Sequence, residues 1–296
     1  MTGCYIASII LFMYKLFNNI LIPVNLSAAF ERTVEKGIAL ANTYSCNVHL
    51  LYASASPAKK PSLKKLFSFY SLLQKGADKK SELRLNALSK NFQDHLNDGL
   101  KIFTSIEKGN RNDVAINYIV RNKIDLVLET VYSRNIKQNK LSLDVNRIAE
   151  KTTAAVITVP EDCRIHHLYS IVIPVTDFIP LRKLMYGIYL ARYYKTTIHL
   201  LGITHEQDIE YTQRVQKYLH RSYQLIRDNC DVPIDLTVRD GSNVAEVVKE
   251  YATSNNTDLV IVNPGGQSRL RNHTLGWFAG VLQKNIHPPV LTIGTP

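Results

Sequence analysis

The residues best placed to do chemistry are two glycines, Gly266 and Gly276, separated by nine residues in the loop Asn263-Pro-Gly-Gly-Gln-Ser-Arg-Leu-Arg-Asn-His-Thr-Leu-Gly276. The apolar, β-branched run Asp258-Leu-Val-Ile-Val262 precedes the loop and reads as a buried strand. A helical segment over 277–285 and a second apolar run, Val290-Leu-Thr-Ile293, follow it. Strand, glycine loop, helix, strand is a layout that can hold an anion. Glycines let backbone N–H groups approach closely, and a helix start adds partial positive charge. Arg269 and Arg271 either meet phosphate oxygens or are solvated loop side chains. Trp277 either fills the anion pocket or anchors the helix against its neighbour. A Walker-type phosphate loop is excluded, because no Gly-Lys-Ser/Thr follows the glycines.

No other catalytic set emerges. His49 and His199 occupy equivalent strand positions, where a structural role is expected and metal binding is not. His166 and His167 fall in a connector and are expected at the surface. Ser242, after Asp240-Gly241, reads as a helix N-cap and not as a nucleophile. Cys4, Cys46, Cys163 and Cys230 are scattered, with neither a Cys-x-x-Cys pair nor a histidine at ligand spacing. Neither a zinc site nor a disulfide framework is expected, and a reducing cytoplasm is the expected setting. No catalytic residue and no metal ligand is therefore assigned, and an enzymatic role is not expected.

The elements that must position the loop occur twice. Ile20-Leu-Ile-Pro-Val24 is matched by Ile171-Val-Ile-Pro-Val175, and Gly37-Ile-Ala-Leu-Ala41 by Gly187-Ile-Tyr-Leu-Ala191. Val48-His-Leu-Leu51 is matched by Ile198-His-Leu-Leu201, Asp113-Val-Ala115 by Asn243-Val-Ala245, and Asp125-Leu-Val127 by Asp258-Leu-Val260. Further apolar runs at 101–106 and 155–159 read as strands, and Ser27 reads as the cap of the first helix. An ordered set of matches is a duplication, with its join near 160–168. Strands alternating with amphipathic helices imply parallel sheets covered on both faces. Ligands then sit outside the strands' carboxyl ends, where strand order reverses.

Gly266, nine intervening residues and Gly276 resemble the second and third glycines of the nucleotide loop of the universal stress protein family. That loop reads Gly-x-x-Gly, nine residues, then Gly-Ser or Gly-Thr; here Asn263 stands for the first glycine and Trp277 for the hydroxyl residue. The resemblance spans the chain from about residue 18. It implies an α/β fold of two tandem Rossmann-like domains, each a five-stranded parallel sheet with helices on both faces. The last strands, at 156–159 and 290–293, would meet across a pseudo-twofold as in the family's homodimer. The expected divisions are an N-terminal extension over 1–17, domain 1 over 18–161, a linker over 162–168 and domain 2 over 169–296.

The resemblance also implies the site. An aspartate after the first strand would hold the ribose, and the glycine loop would wrap the phosphates. In the second copy the ribose position falls on Thr176, with Asp177 one residue later; Asn263, Gly265, Gly266, Gly276 and Trp277 complete the expected nucleotide contacts. In the first copy the ribose position falls on Asn25, and counting back from Val156 puts the loop positions on Glu129, Tyr132, Ser142 and Leu143. Nucleotide binding there is expected to be lost, since a glutamate repels phosphate and side chains fill the space. The expected role is a non-catalytic binding or signalling module in stress adaptation, with nucleotide binding weak or lost. The alternative is an ATP- or AMP-binding protein with its site in the second domain.

The chain has 296 residues, a formal net charge of +11 and 45% hydrophobic residues, ordinary for two soluble domains. Residues 57–101 hold ten Lys/Arg against four Asp/Glu. A solvated helix face is the expected reading of that excess; an anionic membrane or an acidic protein is the alternative, and nucleic acid is not expected. Within it a basic helical insertion over about 57–76 would place Leu63, Leu66, Phe67 and Tyr70 on one side, capping the core or docking a partner. The expected partners are an unidentified protein and, beyond the internal pseudo-dimer, a second copy of the chain. The apolar stretch 4–14 is shorter than the about 20 residues a spanning helix needs. Translation is expected to start at Met13, with 1–12 dispensable.

Overall fold

A computed structural model describes residues 15–25, 30–54, 64–131, 142–163, 165, 167–193, 195–264 and 288–294, with the backbone alone for 64–78. The Met13 start, the Ser27 cap, His166 and the apolar stripe of the insertion lie outside what is described.

The first half runs β1 (Asn19–Val24), α1 (Glu31–Tyr44), β2 (Asn47–Ser54), α2 (Lys64–Gln93), β3 (Ile102–Lys108), α3 (Arg111–Arg121), β4 (Leu126–Val131), α4 (Val145–Lys151) and β5 (Ala155–Pro160). The second runs β6 (Ser170–Val175), α5 (Leu181–Ala191), β7 (Thr197–Thr204), α6 (Ile209–Arg227), β8 (Ile234–Asp240), α7 (Val244–Ser254), β9 (Leu259–Val262) and β10 (Val290–Thr292). All ten strands form one sheet in the order β3-β2-β1-β4-β5-β10-β9-β6-β7-β8. Each half contributes five parallel strands. The halves join where β5 and β10 pair antiparallel, Thr158 opposite Val290, Ile157 opposite Leu291 and Val156 opposite Thr292. The pseudo-twofold passes through the Ile157–Leu291 pair, as the resemblance implies.

The central strands are continuous apolar runs because both their faces are covered. On one face Ile20, Ile22, Ile157, Ile171, Ile173 and Leu291 belong to a single core that crosses the seam. On the opposite face each half keeps its own cluster, around Leu21, Val127 and Val156 in the first and Val172, Val260 and Val290 in the second. Aromatic rings extend the shared core: Tyr44 stacks on Tyr189 at 5.8 Å and meets Tyr193 edge-on at 4.8 Å. Glycine sets how closely α5 approaches β6, for a Cβ on Gly187 would lie 2.6 Å from Ile173 Cδ1.

Polar anchors repeat as faithfully as apolar ones. Asp125 Oδ2 accepts from the backbone N–H groups of Asn18 (2.7 Å) and Asn19 (3.2 Å), pinning the start of β1. Asp258 Oδ2 does the same for Tyr169 (2.7 Å) and Ser170 (2.9 Å) before β6. Asn110 caps α3 by accepting from the N–H groups of Asn112 and Asp113, and Asn243 caps α7 by accepting from Ala245 and Glu246.

These anchors correct two sequence expectations. Asn243 and not Ser242 is the N-cap of α7, because its carboxamide reaches the first-turn N–H groups. The match of Asn243-Val-Ala245 to Asp113-Val-Ala115 is out of register, since Asn243 occupies the capping place that Asn110 holds in the first half. The insertion is also part of something longer. α2 has 30 residues where its counterpart α6 has 19, so the basic stretch extends an ordinary crossover helix at its N-terminal end.

Candidate functional site

In each half the strand order reverses between the first and fourth strands, β1 beside β4 and β6 beside β9. The chain leaves the carboxyl ends of these two strands in opposite lateral directions, which opens a crevice there. The described residues at the two crevices differ in kind.

In the first half two buried side chains link helix to strand at the end of the sheet. Thr33, on α1, donates its hydroxyl to Thr130 Oγ1 at 3.0 Å, and both residues are buried. Sheet register makes Thr130 the counterpart of Asn263. Val127 pairs with Val156 and Val260 with Val290, and the antiparallel seam equates Val156 with Val290. Counting back along the sequence therefore misplaces the first loop position by one residue, onto Glu129, whose counterpart is Val262. Glu129 is nonetheless buried, 6% exposed, and among the described residues its Oε2 has no hydrogen-bond partner. Burial pushes its carboxyl up to about 7, against the opposing pull of Arg111 and a hydrogen bond from the Leu143 backbone. Asn25 is half-buried and Leu143 buried, while Tyr132 lies outside the described residues.

In the second half Thr176 is buried directly after β6 and Asp177 follows it, half-buried. Asp177 lies near enough to Tyr211 on α6 for its charge to be felt there. Its charge raises the Tyr211 phenol, which burial as the larger cause pushes up to about 12. Asn263 follows β9 and is half-buried. Gly265, Gly266, Gly276 and Trp277, with Arg269 and Arg271, lie outside the described residues.

One residue here escapes motif reading. Lys183, on the first turn of α5, is 3% exposed and donates from Nζ to the Pro174 carbonyl oxygen at 2.7 Å. Burial alone lowers its amine to about 7. It stands where the first half has Thr33. The sequence does carry a signal: Lys183, Gly187 and Ala191 follow one another at steps of four, and Gly187 packs on the sheet. A lysine on that stripe must point inward. Its neighbour Arg182 bonds to the Gly294 carbonyl across the end of the sheet.

The two strand histidines sit where the duplication puts them, His49 against Tyr118 and His199 against Tyr251 and Asp235. Among the described residues no group of three or more His, Cys, Asp or Glu is arranged to hold a metal ion. No helix among them is long and apolar enough to cross a membrane.

No family model matches the sequence, and no curated protein matches it. Solved structures do. A universal stress protein from Archaeoglobus fulgidus superposes with a TM-score of 0.66 at 13% identity, over 94% of this chain and 98% of its own. A functionally unknown protein from Pseudomonas aeruginosa does so with a TM-score of 0.58 at 13% identity, over 94% of this chain and 92% of its own. The chain has the universal stress protein fold, over nearly its whole length.

Proposed function

We propose that this chain is a tandem universal stress protein acting in stress adaptation as a non-catalytic binding or signalling module, with nucleotide binding lost from its first half and weak in its second. The Thr33–Thr130 hydrogen bond carries the reading. It joins α1 to the end of β4 across the crevice that a ligand would enter. Glu129, the residue before Thr130, becomes an anion above neutral pH that Arg111 offsets only in part, which opposes phosphate. The units of this proposal are 18–161 and 169–296 joined by 162–168, working in the cytoplasm on a protein partner, as an internal pseudo-dimer or a dimer of such chains. The test is thermal shift and phosphate release with ATP and AMP, with and without Mg²⁺. A ligand at 100 times its Kd stabilises by about 2.7 kcal/mol, so a shift of that size rejects the reading of weak binding, and released phosphate rejects the non-catalytic one.

A second reading is favoured by Lys183: ATP or AMP bound at the second-half crevice, at one nucleotide per chain. A buried ammonium is what a phosphate site needs and what a scaffold does not.

A further inference from the structure

β8 ends the ten-stranded sheet, with no strand beyond it among the described residues. The bonds at its two ends show which backbone groups are left over. The Pro233 carbonyl oxygen accepts from Ile198 N–H, and Gly241 N–H donates to the Thr204 carbonyl oxygen, both across to β7. Backbone direction alternates along a strand, so the odd-numbered residues of β8 bond to β7. The even-numbered ones, Leu236 and Val238 among them, present N–H and C=O groups at the open edge. The side chains of these two residues are apolar and uncovered, Leu236 37% and Val238 41% exposed. An edge of that kind accepts another strand unless its charges forbid it.

The charges on β8 do not forbid a second β8. Its sequence, Ile-Asp-Leu-Thr-Val-Arg-Asp, is complementary to itself about Thr237. Set antiparallel to its own copy on a twofold axis through Thr237, Leu236 lies opposite Val238 and Asp235 opposite Arg239, each pair occurring twice. Leu236 and Val238 are then the hydrogen-bonded pair, as their free backbone groups require, and Asp235 and Arg239 the closer, non-bonded pair. Only the outermost pair, Ile234 with Asp240, is mismatched. Both charged residues can be reached. The Asp235 side chain is 53% exposed and gives Oδ2 to His199 at 3.2 Å, which leaves Oδ1 for an arginine. Arg239 is exposed, and its Nη1 meets the Val238 carbonyl oxygen at 3.3 Å, a contact that pairing would exchange for Asp235. The duplication supplies the control: β3, at the other edge, reads Ile-Phe-Thr-Ser-Ile-Glu-Lys and would set Phe103 against Glu107. We infer that the β8 edge is a self-association surface, at which a second copy of this chain continues the sheet by antiparallel pairing. The inference rests on the part of the proposed function that joins two chains, and adds the surface through which they join.

Sedimentation velocity of the full chain over a concentration series measures this directly. Wild type is expected to approach twice the mass of one chain as concentration rises, and to do so less readily in high salt. Asp235→Arg sets arginine opposite arginine, and Arg239→Asp sets aspartate opposite aspartate. Each variant alone should therefore associate about tenfold or more weakly. Mixed in equal amounts, the two variants again oppose aspartate to arginine at both places, and the dimer should return. Thermal melts check that each variant is folded. A wild type that stays monomeric at every concentration overturns this interface and the two-chain part of the proposed function together. Equal dimerisation of wild type and both variants overturns the β8 interface and leaves a dimer through another surface standing. Weak association that mixing fails to restore overturns the pairing about Thr237.

Discussion

His49 Nδ1 lies 3.0 Å from the Tyr118 hydroxyl, joining the second strand of the first half to its third helix, and His199 Nδ1 meets Tyr251 at 3.1 Å in the second. The pair is a cross-brace between sheet and helix on the face where each half keeps its own core.

The brace makes stability depend on pH. Burial lowers the His49 imidazole from 6.5 to about 4, so the folded chain holds the neutral ring. The contribution is complete above 6.5, the unfolded value, and is lost as pH falls from there through about 4. We expect the unfolding free energy to drop by on the order of 2 kcal/mol over that interval through this group alone. His49→Gln, which keeps a hydrogen-bonding end and cannot titrate, should flatten that part of the profile in urea unfolding series.

Glu129 carries the opposite sign. Its carboxyl is raised from 4.5 to about 7, so the folded chain favours the protonated form. Its contribution is present below 4.5 and is lost as pH rises through about 7. Glu129→Gln should therefore stabilise the chain at pH 8, by on the order of 2 kcal/mol, and should make no difference at pH 4. A destabilised variant at pH 8 would mean that the ionised carboxylate is held by a favourable partner.

Lys183→Met gives a third stability test, without ligand. The amine is lowered from 10.5 to about 7, so folding is opposed by this group increasingly as pH falls from 10.5 through 7. The substitution also leaves the Pro174 carbonyl without its donor, which offsets part of the gain. A net rise in stability on the order of 2 kcal/mol at pH 7 is expected, read from the denaturant midpoint.

Gly294 and Gly187 should respond unequally to alanine. A Cβ on Gly294 would collide with the Ala149 backbone carbonyl in the last helix of the first half, whereas one on Gly187 meets the end of the Ile173 side chain. Gly294→Ala should cost about 2 kcal/mol or more and Gly187→Ala less, because a side-chain tip can turn aside and a helix backbone cannot. Comparable losses in chemical denaturation would refute the distinction.

Most of the fold is legible in the sequence because the inner strands are buried on both faces and read as unbroken apolar runs. β8 is not, since it is an edge strand whose sequence Ile-Asp-Leu-Thr-Val-Arg-Asp sets charges among its apolar residues. The helix before it is amphipathic but polar on average, and few of its residues are buried. At the site, Thr176, Asp177 and Asn263 can be placed from spacing because strand ends fix them. Lys183 belongs to no motif. It is visible only when helical periodicity is applied to a lysine, the residue type least expected on an inward stripe. The one-residue slip onto Glu129 arose because counting from Val156 assumes equal loop lengths; counting forward from the Asp125–Asp258 match reaches Thr130, in agreement with the strand pairing.

The antiparallel seam of β5 and β10 has an evolutionary corollary. Two identical subunits related by a twofold axis must inherit every substitution in both copies, so a threonine latch that silences one mouth would silence its twin. Fusing the copies into one polypeptide removes that constraint, and the carboxyl ends of the two strand sets face opposite ways, so neither mouth obstructs the other. One copy can then hold a pair of threonines where its sister holds a buried lysine, a divergence that a twofold of identical chains forbids.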